Sequence, residues 1–282
     1  MSFLRRFFIP LLLLPSFAWS AEPALKPGEG LSYRVSWGIF THAGDIKINA
    51  SSPPTSEKSP RLQVVTTTAT RGVAKALYVF EARAESLYDP ATGRLLLTSE
   101  ASKAGDRETK ISTSFDYLKH TATYSNAKNP DPVVLTMPAG EPQDLIMSLV
   151  QTRRWNLKPG ERQDALVIFG DDFYELTIYA ERYEEVKTPL GTFKTLLLVP
   201  RMEKTPPKGM FKRGGAVRVW ISQDDRRLPV KFQVDFKFGA GVATLSAYQP
   251  PEGASAPAKA PPASSSSSSA APSDKDAKNS RP

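Results

Sequence analysis

Two histidines, His42 and His120, are the chain's whole supply of imidazole, and cysteine is absent. A zinc site would need both together with carboxylates. They stand far apart, one in an expected loop and one at an expected strand start, so each reads as an ordinary polar histidine. Without cysteine there is no thiol nucleophile and no disulfide framework. No GxSxG, HExxH, P-loop or GxGxxG pattern occurs, which leaves the nucleophile-elbow, zincin and phosphate-cradle chemistries without an anchor. Carboxylates pair up as Asp171 with Asp172, Glu184 with Glu185, and Asp224 with Asp225. Glycan hydrolysis would require two such groups about 5 to 10 Å apart across a cleft. Adjacent acids in turns have a simpler origin in turn chemistry. Asp144, ahead of an apolar helical run, reads as an N-terminal helix charge rather than a base. The expectation is no catalytic residue, no metal, no cofactor, and a protein that is not an enzyme.

Binding residues are easier to nominate. Aromatic residues make up 10% of the chain. Trp37, Tyr78, Phe80, Phe115, Trp220, Phe232 and Phe236, with Leu145 and Leu149, could line a hydrophobic cavity inside a curled sheet. The competing account is that they fill a core, since an apolar strand face must be buried whatever the function. A second candidate is the basic loop Met202 to Gly215, where Lys204, Lys208, Lys212 and Arg213 could meet a protein partner.

The elements that must position these side chains are mostly strands. Val230, Phe232, Val234, Phe236 and Phe238 alternate with Lys231, Gln233, Asp235 and Lys237, the period of a half-buried antiparallel strand. Val217 to Ser222 precedes it, Gly239 to Gly241 is read as a turn, and Val242 to Tyr248 completes a meander. Leu31 to Trp37 alternates in the same way, with a connection marked by Gly38 and the later Ala43 to Asp45. Further strands are expected over Leu62 to Thr70, Tyr78 to Glu85, Arg94 to Lys103, Thr109 to Tyr117, His120 to Ser125, Ala165 to Phe169, Phe173 to Arg182 and Phe193 to Val199. One stretch, about 142–154, has helical spacing at Leu145, Ile146, Leu149 and Val150, acid at its start and Arg153 and Arg154 at its end. The fold class is therefore mainly β: an antiparallel curled sheet or open barrel with one principal α-helix plugging its concave face. Two packed sheets are the alternative.

The ends differ in composition. Arg5 and Arg6, the apolar run Phe7 to Phe17, and small residues at Ala18 and Ser20 read as a cleaved signal peptide over residues 1–20. A single β-rich domain follows over 21–248. Residues 249–282, rich in Pro, Ala and Ser, have nothing apolar enough to offset the entropy of ordering and read as a disordered tail. The formal charge is +8, modest for this length, and nucleic acid is not an expected partner. These features predict a periplasmic protein that is not a lipoprotein, because no cysteine follows the signal, and that keeps no transmembrane anchor after cleavage.

Short segments then carry a resemblance. They are Tyr33 to Gly38 with Ala43-Gly44; Glu85 to Pro90; Gln143 to Leu149; Leu157 to Gly160; Thr188 to Phe193; and Val219 to Ser222 through Arg227 to Val230. In this order the chain resembles the bacterial exported-protein family known as domain of unknown function 3108, across most of Leu31 to Leu245. Ile146-Met147 departs from the Pro-Leu-like step expected of the family, and the Ser-rich tail is extra. The resemblance implies an envelope protein of mainly β structure and supplies no catalytic residues; half barrels of the lipoprotein-carrier type are similar in architecture. The leading functional expectation is a non-enzymatic envelope protein binding a lipid or other amphipathic component in an apolar groove. A protein interaction module or scaffold comes second and an envelope glycan hydrolase third.

Overall fold

The structure, a computed structural model, describes residues 24–53, 59–209, 211, 217–236 and 239–254. The expected signal segment, most of the expected tail, and Lys212 and Arg213 lie outside the described residues.

Among the described residues, fifteen strands form one sheet. In the first half, β1 (Gly30–Trp37), β2 (Phe40–Ser51), β3 (Leu62–Thr70), β4 (Phe80–Tyr88), β5 (Leu95–Ala104), β6 (Arg107–Asp116), β7 (Thr121–Asn126) and β8 (Asn129–Thr136) run as an antiparallel meander. A six-residue helix, α1 (Gly72–Leu77), joins β3 to β4. In the second half, β9 (Pro142–Asp144) leads into α2 (Leu145–Gln151) and a 3-10 turn (Thr152–Arg154). Then β10 (Arg162–Phe169), β11 (Asp172–Thr188), β12 (Gly191–Arg201), β13 (Val217–Ser222), β14 (Pro229–Phe236) and β15 (Gly239–Gln249) make a second meander. The two meanders join where β15 pairs with β1, Leu31 opposite Tyr248. This leaves β8 and β9 as the two edges. The sheet curls until β9 lies against β5, past β8, β7 and β6, and no ladder closes it. A barrel closes when its edges pair; here α2 and its turn occupy the gap.

Why the curl holds is visible in the core. Leu31, Tyr33, Ile48, Leu245, Val230 and Leu228 are at most 1% exposed, as are Leu196 and Leu198, and Met147 and Val150 of α2 join them. Tyr33 packs against Phe232, its ring tilted by 47° and 5.1 Å away between centroids, and donates its hydroxyl to the Pro229 carbonyl at 2.8 Å. Burial pushes the Tyr33 phenol well above its ordinary range. A buried ion pair ties down the base. Arg153 reaches Glu29 at 2.6 Å and also donates to the Ala24 and Arg226 carbonyls; Glu29 further accepts from the Lys26 amide and the Tyr248 hydroxyl.

The expected fold class is the observed one, and several local readings need correction. The helix starts at Leu145, not near 142: Pro142 to Asp144 pairs in parallel with β10, and Asp144 has extended backbone as the N-cap. Gly239 to Gly241 is not a turn, because it already pairs in β15 with Val234 to Phe236. Ala43 to Asp45 likewise lies within β2, and the chain reverses at Gly38-Ile39. Gly44 is required there for space: a Cβ would stand 2.6 Å from the Ala69 carbonyl oxygen of β3. β8 went unread because Pro130 and Pro132 interrupt its pattern; it is an edge strand, where proline is tolerated. Tyr78 is outside β4, as the C-cap of α1. At the far end β15 runs through Gln249, and the Glu252 amide donates to the Pro27 carbonyl.

Candidate ligand-binding groove

On β3 to β6, cross-strand rows define one face of the curled wall. Nearest the base, Leu62 of β3 faces Tyr88 of β4, which faces Leu95 of β5, and all three are buried. One step up, Val64, Ser86, Thr98 and Thr113 form a row. The next row is Thr66, Ala84, Glu100 and Ile111, and beyond it Thr68 faces Ala82. The large side chains at the base give way to Ala, Ser and Thr, which are too short to fill the space that the curl encloses.

The result is a groove of about 380 Å³, within the ~300–1,000 Å³ usual for small-molecule sites. Thr66, Thr68, Ala82, Ala84 and Thr98 line the wall, Phe80 stands toward the rim, and Leu145, Ile146, Ile168 and Phe169 face them. The groove is half open. Its polar groups are sparse, and two are carboxylates: Asp144 and Glu100.

Asp144 is fully engaged. One oxygen accepts from the Met147 amide at 2.8 Å, closing the first turn of α2, and the other accepts the Tyr88 hydroxyl at 2.8 Å. Burial, with the Asp144 charge adding to it, pushes the Tyr88 phenol well above its ordinary range, so it remains a donor. One carboxylate thus positions the helix over the groove and ties it to the opposite wall. Glu100, by contrast, makes no hydrogen bond or ion pair to any described residue.

The nine apolar residues nominated from sequence do not share one site. Phe80 and Leu145 line the groove. Phe115 and Leu149 are partly buried and pack against the core, while Phe232 and Trp220 are 8% and 3% exposed within it. The Trp220 indole donates to Glu184, and Lys231 lies over its ring. Trp37 and Tyr78 are exposed, at 45% and 56%. Phe236 belongs to β14, and its side chain is outside the described residues. In the basic loop, Lys204 pairs with Asp164 at 2.7 Å and Lys208 with Asp172.

The residues suggesting chemistry are scattered too. His42 bonds Asp45 at 2.7 Å on the exposed part of β2, and His120 has a left-handed backbone in the turn before β7. Asp172, Glu184 and Asp224 are each held by other side chains: Lys208 for the first, Arg182 on the same strand and Trp220 two strands away for the second, and Ser222 with Arg226 for the third. Among the described residues, no three of His, Asp or Glu come together as a metal site would require. Sequence reasoning missed the groove wall because it followed large aromatics. The signal that could have found it is a run of Ala, Ser and Thr at alternate positions on the inward face of β3 to β5.

Among the described residues no helix is long and apolar enough to cross a membrane. In structure, the chain is similar to a β-barrel-like protein of domain of unknown function DUF1849 from Brucella abortus: TM-score 0.50, 8% identity, covering 80% of this chain and 98% of that one. Two further likenesses are lower. A protein described as exported, with a YmcC-like fold, from Bacteroides fragilis gives TM-score 0.38 and 10% identity over 81% of this chain and 98% of that one. One described as a lipoprotein from Parabacteroides distasonis gives 0.28 and 8% over the same shares. Comparison with curated proteins gives no match. The description of the DUF1849 protein names no catalytic family. The family model described as "Protein of unknown function (DUF3108)" matches residues 32–246, and the chain belongs to that family.

Proposed function

We propose that this chain is a non-enzymatic periplasmic protein that holds a lipid or other amphipathic envelope component in the groove between β3–β6 and α2. The observation that carries the reading is the groove itself, about 380 Å³ bounded by short side chains where a solid core would have large ones. Ile168, Phe169, Leu145 and Ile146 offer an acyl chain apolar contact, while Glu100 gives a hydroxyl or amine on the same molecule a carboxylate to bond. At one end of the sheet, the turn tip Ile39 and the α1 residues Val73 and Leu77 are 89%, 65% and 71% exposed, beside Trp37 and Tyr78. An apolar, aromatic rim of this kind suits contact with a lipid surface. Export is supported by the charged start, apolar run and small residues of positions 1–20.

Native mass spectrometry of gently purified protein tests this directly. The expected result is an adduct of lipid mass that organic extraction removes, and saturable uptake of a dansyl-labelled fatty acid afterwards. Ala84→Phe, which fills the wall, should abolish both. An empty protein that also fails to take up the labelled chain would overturn the proposal.

A further inference from the structure

A second cavity, of about 220 Å³, lies on the other flank of α2. It is built differently. Gln143 in the middle of β9, Ser148 and Gln151 of α2, Trp155, Gln163 of β10 and Glu175 of β11 all face it. Ser148 spends its hydroxyl on the Leu145 carbonyl. The side chains of Gln143, Gln151, Gln163 and Glu175 make no hydrogen bond to any described residue, nor does the Trp155 indole N–H.

That unspent capacity is the informative feature. Gln143 is only 7% exposed as a residue, and its amide is not sealed off without a partner but opens into the cavity, where it can bond whatever enters. An amide offers a donor and an acceptor side by side. Three of them converging with a carboxylate match a ligand that presents many groups able both to donate and to accept, closely spaced on a small frame. Vicinal hydroxyls on a sugar ring have that chemistry. A pyranose also has an apolar face of C–H bonds, and the half-buried Trp155 supplies an apolar surface with a polar N–H at its edge. Charge narrows the class further. Of the acids around the cavity, Glu141 is neutralised by Arg94 at 3.1 Å and Asp164 by Lys204 at 2.7 Å, leaving Glu175 unopposed. An anionic sugar would meet that carboxylate.

We infer that this cavity is a binding site for one ring of a neutral or amino sugar, independent of whether the groove holds lipid. The test is saturation-transfer NMR on the full chain with glucose, N-acetylglucosamine, glucosamine and glucuronic acid as probes, each titrated through the millimolar range. Transfer to at least one of the first three is expected, with glucuronic acid at least tenfold weaker. Gln143→Leu should weaken binding tenfold or more. Should that variant fold poorly, the more exposed Gln163→Ala and Glu175→Gln carry the same expectation of a severalfold loss, and Glu175→Gln should also narrow the gap to glucuronic acid. The inference is overturned if none of the three sugars shows transfer, if glucuronic acid binds as well as they do, or if folded variants bind like the parent.

Discussion

Breaking the Glu29–Arg153 pair should be among the most damaging single changes available in this fold. Glu29 is 3% exposed and the Arg153 side chain 11%, so neither charge has much water to fall back on. Between them they make the 2.6 Å ion pair and four further hydrogen bonds, to the Lys26 amide, the Tyr248 hydroxyl, and the Ala24 and Arg226 carbonyls. Arg153→Met strands a buried carboxylate, and removal of one partner of such a pair costs about 3–5 kcal/mol. At ~2–4 °C per kcal/mol for a domain of this size, the thermal midpoint should fall by roughly 10 °C. Glu29→Met strands the guanidinium instead and should cost a similar amount. In the double variant Glu29→Met/Arg153→Met no charge is stranded, so its loss should fall short of the two single losses added together by roughly 2 kcal/mol or more. Urea denaturation followed by far-UV circular dichroism measures all four corners of this cycle. Additive losses, or an Arg153→Met loss under about 1 kcal/mol, would show that the pair is solvated and does not tie down the base of the sheet as described.

Stability should fall on the alkaline side. Tyr33 and Tyr88 are raised in the fold by burial, so the folded state keeps protons that the unfolded chain releases above its ordinary tyrosine value near ~10. Their contribution is complete below that pH and is lost above it at about 1.4 kcal/mol per pH unit for each phenol until the folded values are reached; Tyr33→Phe/Tyr88→Phe should flatten that slope in urea titrations between pH 9 and 12. Asp144→Ala removes a cap worth about 1 kcal/mol and leaves the Tyr88 hydroxyl buried without its acceptor at a further ~1–3 kcal/mol; Tyr88→Phe should cost less than half as much, and equal losses would refute the dual role of the carboxylate. Gly44→Ala drives a methyl to 2.6 Å from the Ala69 oxygen and should cost about 1–3 kcal/mol, read as a lower urea midpoint. Replacing Pro130 and Pro132 together by Thr should raise self-association, seen by light scattering, because proline on the β8 edge withholds donors from a second chain; unchanged scattering would count against that role.

How far this could be read from sequence varied with the kind of signal. Alternation from Leu31 to Trp37 and from Val230 to Phe238 located β1 and β14, which run over Gly30–Trp37 and Pro229–Phe236, because burying one face of a strand imposes a period of two. Connections were harder. Glycine marks both turns and close backbone approaches, and at Gly44 and Gly239 it occurs within a strand. At Pro142 the sequence suited a first helical turn, yet three residues of parallel pairing with β10 outweighed that local preference. Aromatic residues misdirected the search for a site: Trp220 and Phe232 are core, and Trp37 and Tyr78 are rim. The short side chains alternating on β3 to β5 marked the groove wall in the sequence, but nothing in the order of residues says which helix far along the chain will face them, so the groove's other side became legible only once the curl was known.

The short helix α2 makes the arrangement work because its two sides differ. Met147 and Val150 fix it in the core, Leu145 and Ile146 turn toward the apolar groove, and Ser148 and Gln151 toward the polar cavity. Seven residues alone would not hold a helix in water. Its persistence rests on Asp144 at one end, capping and reaching Tyr88, and on Arg153 just beyond the other, locked to Glu29. The two anchors lie on β4 and just before β1, so a ligand seated between the groove wall and α2 would brace the Asp144–Tyr88 contact first. Occupancy of the groove should therefore slow hydrogen exchange at the Met147 amide. If exchange there were indifferent to a bound acyl chain, the helix would be a plug that merely fills the curl and not the wall of a binding site.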